Sequence, residues 1–92
     1  MNVKVRYYGT LEELASRKEE KVKLPKGATV GDLLRILSKK YGSKFKDYVF
    51  EKNGAVQPFL HFLVNGKSVA RDLDTELKDG YEFGILFSPG GG

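Results

Sequence analysis

The chain has 92 residues, 40% of them hydrophobic, with 16 Lys and Arg against 12 Asp and Glu, one His and neither Cys nor Trp. One compact domain fits that length; the absence of cysteine excludes disulfide frameworks, zinc ribbons and thiol nucleophiles, and a lone His61 cannot build a histidine metal cage or a two-histidine acid/base pair. The formal charge of +4 is scattered from Lys4 to Lys78 among acids, so no dense basic run marks a phosphate-binding stripe, and the balance argues for solubility and against nucleic acid as the partner.

Val3, Val5 and Tyr7 alternate with Lys4, Arg6 and Tyr8 over Asn2 to Tyr8, the period of a half-buried strand. After Gly9, the helical spacing of Leu11, Leu14 and Ala15, with Thr10 three residues before Glu13 as a capping box, predicts a short helix from about Leu11 to Arg17. Glu19 to Leu24 alternates again and reads as a second strand paired to the first. Pro25-Lys26-Gly27 turns the chain, and Thr29 with Asp32 caps the main helix, which carries Val30, Leu33, Leu34, Ile36, Leu37 and Tyr41 and closes at Gly42. Phe45, Tyr48 and Val49 are spaced for one or two further helical turns, and a polar loop from Asn53-Gly54 runs to Pro58. Phe59 to Val64 predicts a strand, Asn65-Gly66 a hairpin turn, Leu73 and Leu77 two anchors in a polar crossover, and Tyr81 to Phe87 the last strand.

Strands and one main helix in this order describe an α+β fold, the β-grasp or ubiquitin-like architecture, in which the helix lies across a mixed sheet and the first and last strands are neighbours. Val3, Val5 and Tyr7, then Phe83, Ile85 and Phe87, are expected to face the Leu33, Leu34 and Leu37 stripe. Residues 1–87 form the expected domain and residues 88–92 a flexible glycine-rich tail. By parity Tyr8, Leu63 and Leu86 face away from the helix, and they are expected to form an apolar patch near the tail, with His61 at its rim. Asp72, Asp74 and Asp79 fit turns and strand ends better than a cation site, so no metal site is expected. No apolar run approaches the ~18 residues of a membrane span, and the expectation is a soluble, cytoplasmic protein.

Glycine accounts for eleven residues, three of them Gly90-Gly91-Gly92 at the end of the sequence. Glycine lacks a Cβ, so such a tail passes through a narrow channel and adopts any conformation there, and its carboxylate is open to attack. A frayed terminus is the ordinary alternative.

Val3-Lys4-Val5-Arg6, the run from Leu24 to Leu34, Val64-Asn65-Gly66, the run from Asp72 to Gly80 and the terminal Gly-Gly together make the chain resemble the MoaD/ThiS-type ubiquitin-like sulfur carriers, including the molybdopterin synthase small subunit and the small archaeal modifier proteins. The resemblance implies that the protein is a carrier and co-substrate and not an enzyme. A ubiquitin-activating-like adenylating enzyme would use ATP to activate the carboxylate of Gly92, which then becomes a thiocarboxylate. No cofactor is held by the carrier itself. Gly91 belongs with Gly92 to the reactive site, while Gly90, Tyr8, Leu63 and Leu86 would bind the partner, which the loaded tail enters. The implied acceptor is the molybdopterin synthase large subunit or another sulfur acceptor enzyme. Two alternatives stand beside this: a modifier joined through Gly92 to lysines of target proteins, and a basic module that binds RNA or protein without covalent chemistry. The usual tail of such carriers has two prolines, two small residues and Gly-Gly; here Phe87-Ser88 stand in place of the prolines, followed by Pro89-Gly90.

Overall fold

The computed structural model describes residues 1–88. The element order is β1 (Asn2–Arg6), α1 (Thr10–Ala15), β2 (Glu19–Lys23), α2 (Val30–Tyr41), α3 (Ser43–Val49), β3 (Leu60–Val64), β4 (Lys67–Ser68) and β5 (Glu82–Phe87). The five strands form one sheet in the order β2-β1-β5-β3-β4. β1 pairs antiparallel with β2 and parallel with β5, which in turn runs antiparallel to β3. This is the β-grasp arrangement, with α2 packed across a mixed sheet.

The core follows from the alternation. Val3, Val5 and Tyr7 are buried on the helix side, where Phe62, Phe83 and Ile85 join Leu33, Leu34 and Leu37. Fully burying one such aliphatic side chain contributes about 1.5–3 kcal/mol, so the stripe on α2 supplies much of what holds the helix to the sheet. The start of α2 is fixed locally and from a distance. Thr29 Oγ1 accepts from the backbone N–H of Asp32, and Asp32 Oδ2 accepts from the N–H of Thr29 at 2.9 Å, which completes the expected capping box. The backbone hydrogen bond from Thr29, helped by Arg35, holds the Asp32 carboxyl below its ordinary value. The crossover supplies the remaining partners: Val30 N–H donates to the Thr75 carbonyl and Gly31 N–H to that of Leu73, each at 2.9 Å.

Three expectations need correction. No capping box joins Thr10 to Glu13; Gly9 is the N-cap of α1, with φ 54° and ψ −124° and no side-chain cap. The sharp exit from β1 needs a backbone shape open to glycine, and it brings Thr10 inside the helix, out of capping position. Ile36 is 39% exposed, because it projects from α2 off the Leu33–Leu37 stripe. Phe87 is 60% exposed although it shares the parity of Phe83 and Ile85. The helical cover ends before the last residue of β5, and the Phe87 ring lies instead beside Phe59, with centroids 5.6 Å apart.

The β2 position beside Val5 on the helix side is polar. Glu20 pairs in register with Val5, and its side chain is only 5% exposed. Its carboxylate accepts from Tyr7 Oη at 2.6 Å, from Tyr41 Oη and from Lys40 Nζ at 2.6 Å, with Arg17 at 3.5 Å. Burial works against the charge, but the hydrogen bonds from Lys40, Tyr41 and Tyr7 outweigh it and hold the carboxyl below the ordinary glutamate value. The same burial, with Glu20 as acceptor, pushes the Tyr7 phenol up. Glu20 thereby ties the end of α2 to the edge of the sheet.

Candidate functional site

On the face of the sheet away from the helices, register decides which side chains meet. Leu63 lies directly opposite Gly84, Gly84 opposite Arg6, and Leu86 opposite His61. Leu63, Leu86 and His61 are all half-buried and Tyr8 is 41% exposed. Gly84 organises the patch. A Cβ there would lie 3.3 Å from Tyr8 Cε2, so the absent side chain leaves a seat that the Tyr8 ring occupies. The Arg6 guanidinium lies 6.0 Å from the centre of that ring, close enough for a cation–π attraction. Tyr8, Leu63 and Leu86 therefore share one open face, as their parity implied, with Leu86 nearest the tail.

The rest of this face is charged and paired in part, since Lys21 and Lys23, opposite Lys4 and Asn2, have no ion-pair partner among the described residues. Arg6 meets Glu82 at 3.3 Å and Lys4 meets Glu19 at 2.9 Å. Exposed pairs of this kind add about 0–1 kcal/mol each. Their effect here is to leave the tail end of the face as its apolar part.

The helix side of the same end carries a groove of about 520 Å³. Phe87, Phe59 and Tyr48 line it, with Tyr8 and Leu11; the Tyr48 and Phe59 rings are 5.7 Å apart. The backbone N–H of Ser88 donates to the Phe59 carbonyl at 2.6 Å, so pairing between β5 and the β3 side continues to the last described residue. A proline at this position has no N–H to donate. The root of the tail is thus set by an aromatic contact at Phe87 and a hydrogen bond at Ser88, where the resembling carriers place two prolines.

The sequence pattern missed this groove because parity assigned Phe87 to the core. A signal for the seat was present: a glycine inside a strand, Gly84, commonly marks a close approach. Gly90, Gly91 and Gly92, which carry the expected chemistry, lie outside the described residues. Among the described residues no group of three or more His, Asp or Glu could hold a metal ion, and no helix is long and apolar enough to cross a membrane. The arrangement is suited to binding a protein surface at the foot of a tail.

The model of the ThiS family matches residues 5–92. The chain belongs to the ThiS family. Small archaeal modifier protein 3 of Haloferax volcanii is 29% identical over 94 residues, covering 100% of both chains. A candidate sulfur carrier protein of Archaeoglobus fulgidus is 35% identical over 66 residues, which cover 70% of this chain and 74% of that one. The structure of a candidate molybdopterin converting factor subunit 1 from Pyrococcus furiosus matches with a TM-score of 0.76 and 35% identity, over 96% of this chain and 98% of that one. The ThiS family chain is therefore similar both to carriers and to modifiers, which share a small ubiquitin-like fold.

Proposed function

We propose that this protein is a sulfur carrier whose reactive group is the main-chain carboxylate of Gly92, and that its sulfur goes to molybdopterin biosynthesis. The observation that carries the reading is the family match over residues 5–92, which takes in Gly90-Gly91-Gly92. A ubiquitin-activating-like enzyme would attack the α-phosphate of ATP with this carboxylate, releasing pyrophosphate and leaving a glycyl adenylate. Hydrosulfide supplied by a donor then attacks the acyl carbon, the new C–S bond replaces the C–O bond to AMP, which leaves, and the product is the thiocarboxylate. The carrier supplies no acid, base or metal to these steps. Its part is to present an unhindered terminus and to be recognised.

Recognition would fall to Tyr8, Leu63 and Leu86 on the open face, with Gly90 and Gly91 in the partner's channel. The exposed Phe87 adds a second contact on the other side of the tail root. Docking through a few half-buried apolar side chains suits a partner that must bind, react and release. The acceptor in this reading is the large subunit of molybdopterin synthase, supported by the resemblance to a molybdopterin converting factor subunit.

Incubating the full chain with its activating enzyme, ATP and a sulfur donor tests the reading by intact-mass spectrometry. The expected result is the mass gain of one oxygen-to-sulfur exchange, located at Gly92 by fragmentation. An unchanged mass while AMP is produced would reject it. The whole-length similarity to a small archaeal modifier protein favours a second reading, conjugation of Gly92 to lysines. That reading predicts high-mass adducts of tagged protein in its host which vanish when Gly91 and Gly92 are deleted.

A further inference from the structure

Away from the tail, the largest unassigned feature is the outer surface of α2 and α3. Residues 35–52 contain six Lys and Arg against two acids, Asp47 and Glu51, whereas the remainder of the chain holds ten of each sign. The whole formal excess of +4 therefore resides in this helical segment. Part of it has a structural use. Lys39 and Lys40 in the last turn of α2, and Lys46 in that of α3, offset the partial negative charge of helix C-termini. Lys40 is also paired with Glu20, and Arg35 with Asp32. Among the described residues Lys39, Lys44, Lys46 and Lys52 have no ion-pair partner.

Between the two helices lies a groove of about 220 Å³ lined by Arg35, Ser38, Lys39, Lys46 and Phe50. Phe50 is half-buried against the core and gives the groove an apolar base. Long lysine and arginine side chains line such a groove with their methylene stems and keep their charges at the rim. Ile36, three residues before Lys39 and so its neighbour on the helix surface, extends the apolar ground outward.

We propose that this groove is a second docking site, which takes an acidic segment of a partner protein. An apolar side chain of that segment enters over Phe50, and carboxylates flanking it meet Lys39, Lys46 and Arg35. Charge complementarity selects the acidic partner, and the apolar base selects a segment with an apolar anchor. RNA fits less well, because single-stranded binding depends on aromatic faces open for stacking, and Phe50 is largely covered. The groove lies on the helix side of the sheet and the Tyr8, Leu63 and Leu86 patch on the other, so both can be engaged at once. The proposal is independent of what happens at Gly92.

The test uses the full chain and a fluorescein-labelled peptide, Glu-Asp-Glu-Leu-Phe-Asp-Glu, followed by polarisation and by amide chemical shifts. The expected result is saturable binding that weakens as salt rises, with the largest shifts at Lys39, Lys46 and Phe50. The pair Lys39→Glu and Lys46→Glu is expected to weaken binding roughly tenfold. Lys39→Gln with Lys46→Gln should weaken it less, with helical circular dichroism unchanged, and Leu63→Asp should leave it intact. Replacing Leu-Phe in the peptide by Ala-Ala should cost a similar factor. Absence of saturation, shifts centred on the open face, or indifference to the lysine variants would overturn the proposal. It would equally be overturned if a short oligouridylate bound more tightly with the same dependence on Lys39 and Lys46.

Discussion

On the open face of the sheet the charges beside the apolar residues Tyr8, Leu63 and Leu86 are paired, Arg6 with Glu82 and Lys4 with Glu19, while Lys21 and Lys23 stand unpaired on the outer strand β2 among the described residues. Across the helical face four lysines lack ion-pair partners among the described residues, and the apolar ground is a narrow groove over Phe50. A patch whose neighbouring charges are already paired binds mainly through shape and apolar contact, with less dependence on salt. A surface with unpaired charge attracts from a distance and weakens as salt screens it. If both proposed sites bind, one small domain carries two surfaces that respond differently to the same change in salt.

The largest expected effect separates the tail from both surfaces. Deleting Gly91 and Gly92 should abolish adenylation in a pyrophosphate-release assay, while the melting temperature and acidic-peptide binding stay as they are. Next comes Leu86→Asp, which places a charge at the centre of the open-face patch. It is expected to weaken binding to the activating enzyme by about tenfold or more, measured by calorimetry at two salt concentrations, without loss of folding. If the same variant weakened the acidic peptide as much, the two faces would not be separate sites.

Glu20→Gln is expected to lower stability by about 2 kcal/mol at neutral pH, read from urea unfolding, since it weakens three hydrogen bonds to one carboxylate. The pH dependence has a definite sign. A carboxyl held below its ordinary value stabilises the fold above that value, near 4.5, and the contribution is lost as pH falls through the lower folded value. The wild-type chain should thus lose stability more steeply than Glu20→Gln below about pH 4.5. The smallest effects come from the positioning groups. Gly84→Ala would crowd the Tyr8 ring and weaken open-face docking a few-fold, and Thr29→Ala would cost about 1 kcal/mol of stability by removing the cap of α2, with docking unaffected.

Much of the architecture is readable from local chemistry. Thr29 and Asp32 announce the start of α2, Gly42 its end, and Asn65-Gly66 the hairpin, where both residues take positive φ, 51° and 82°. Parity placed Tyr8, Leu63 and Leu86 on one face, because a strand alternates its side chains whatever it pairs with. Parity failed at Phe87 for a reason outside the strand: it says which side a residue faces but not whether anything covers that side. Thr10 and Glu13 show the same limit of spacing, since Gly9 begins the helix one residue too early for their capping box.

Composition and order along the chain determined that no thiol, histidine pair or histidine metal cage is available, that the fold is a β-grasp, and that glycine occupies positions 90–92. These are consequences of residue type and spacing, which need no neighbour. Tertiary structure alone decided that Glu20 is a buried clasp, that Tyr8 sits in the seat left by Gly84, and that Ser88 holds the tail root where a proline could not. It also placed Arg35, Lys39 and Lys46, from two helices, around one groove over Phe50. Register and packing bring together residues that are far apart in sequence, and each of these contacts exists only once a second segment has arrived.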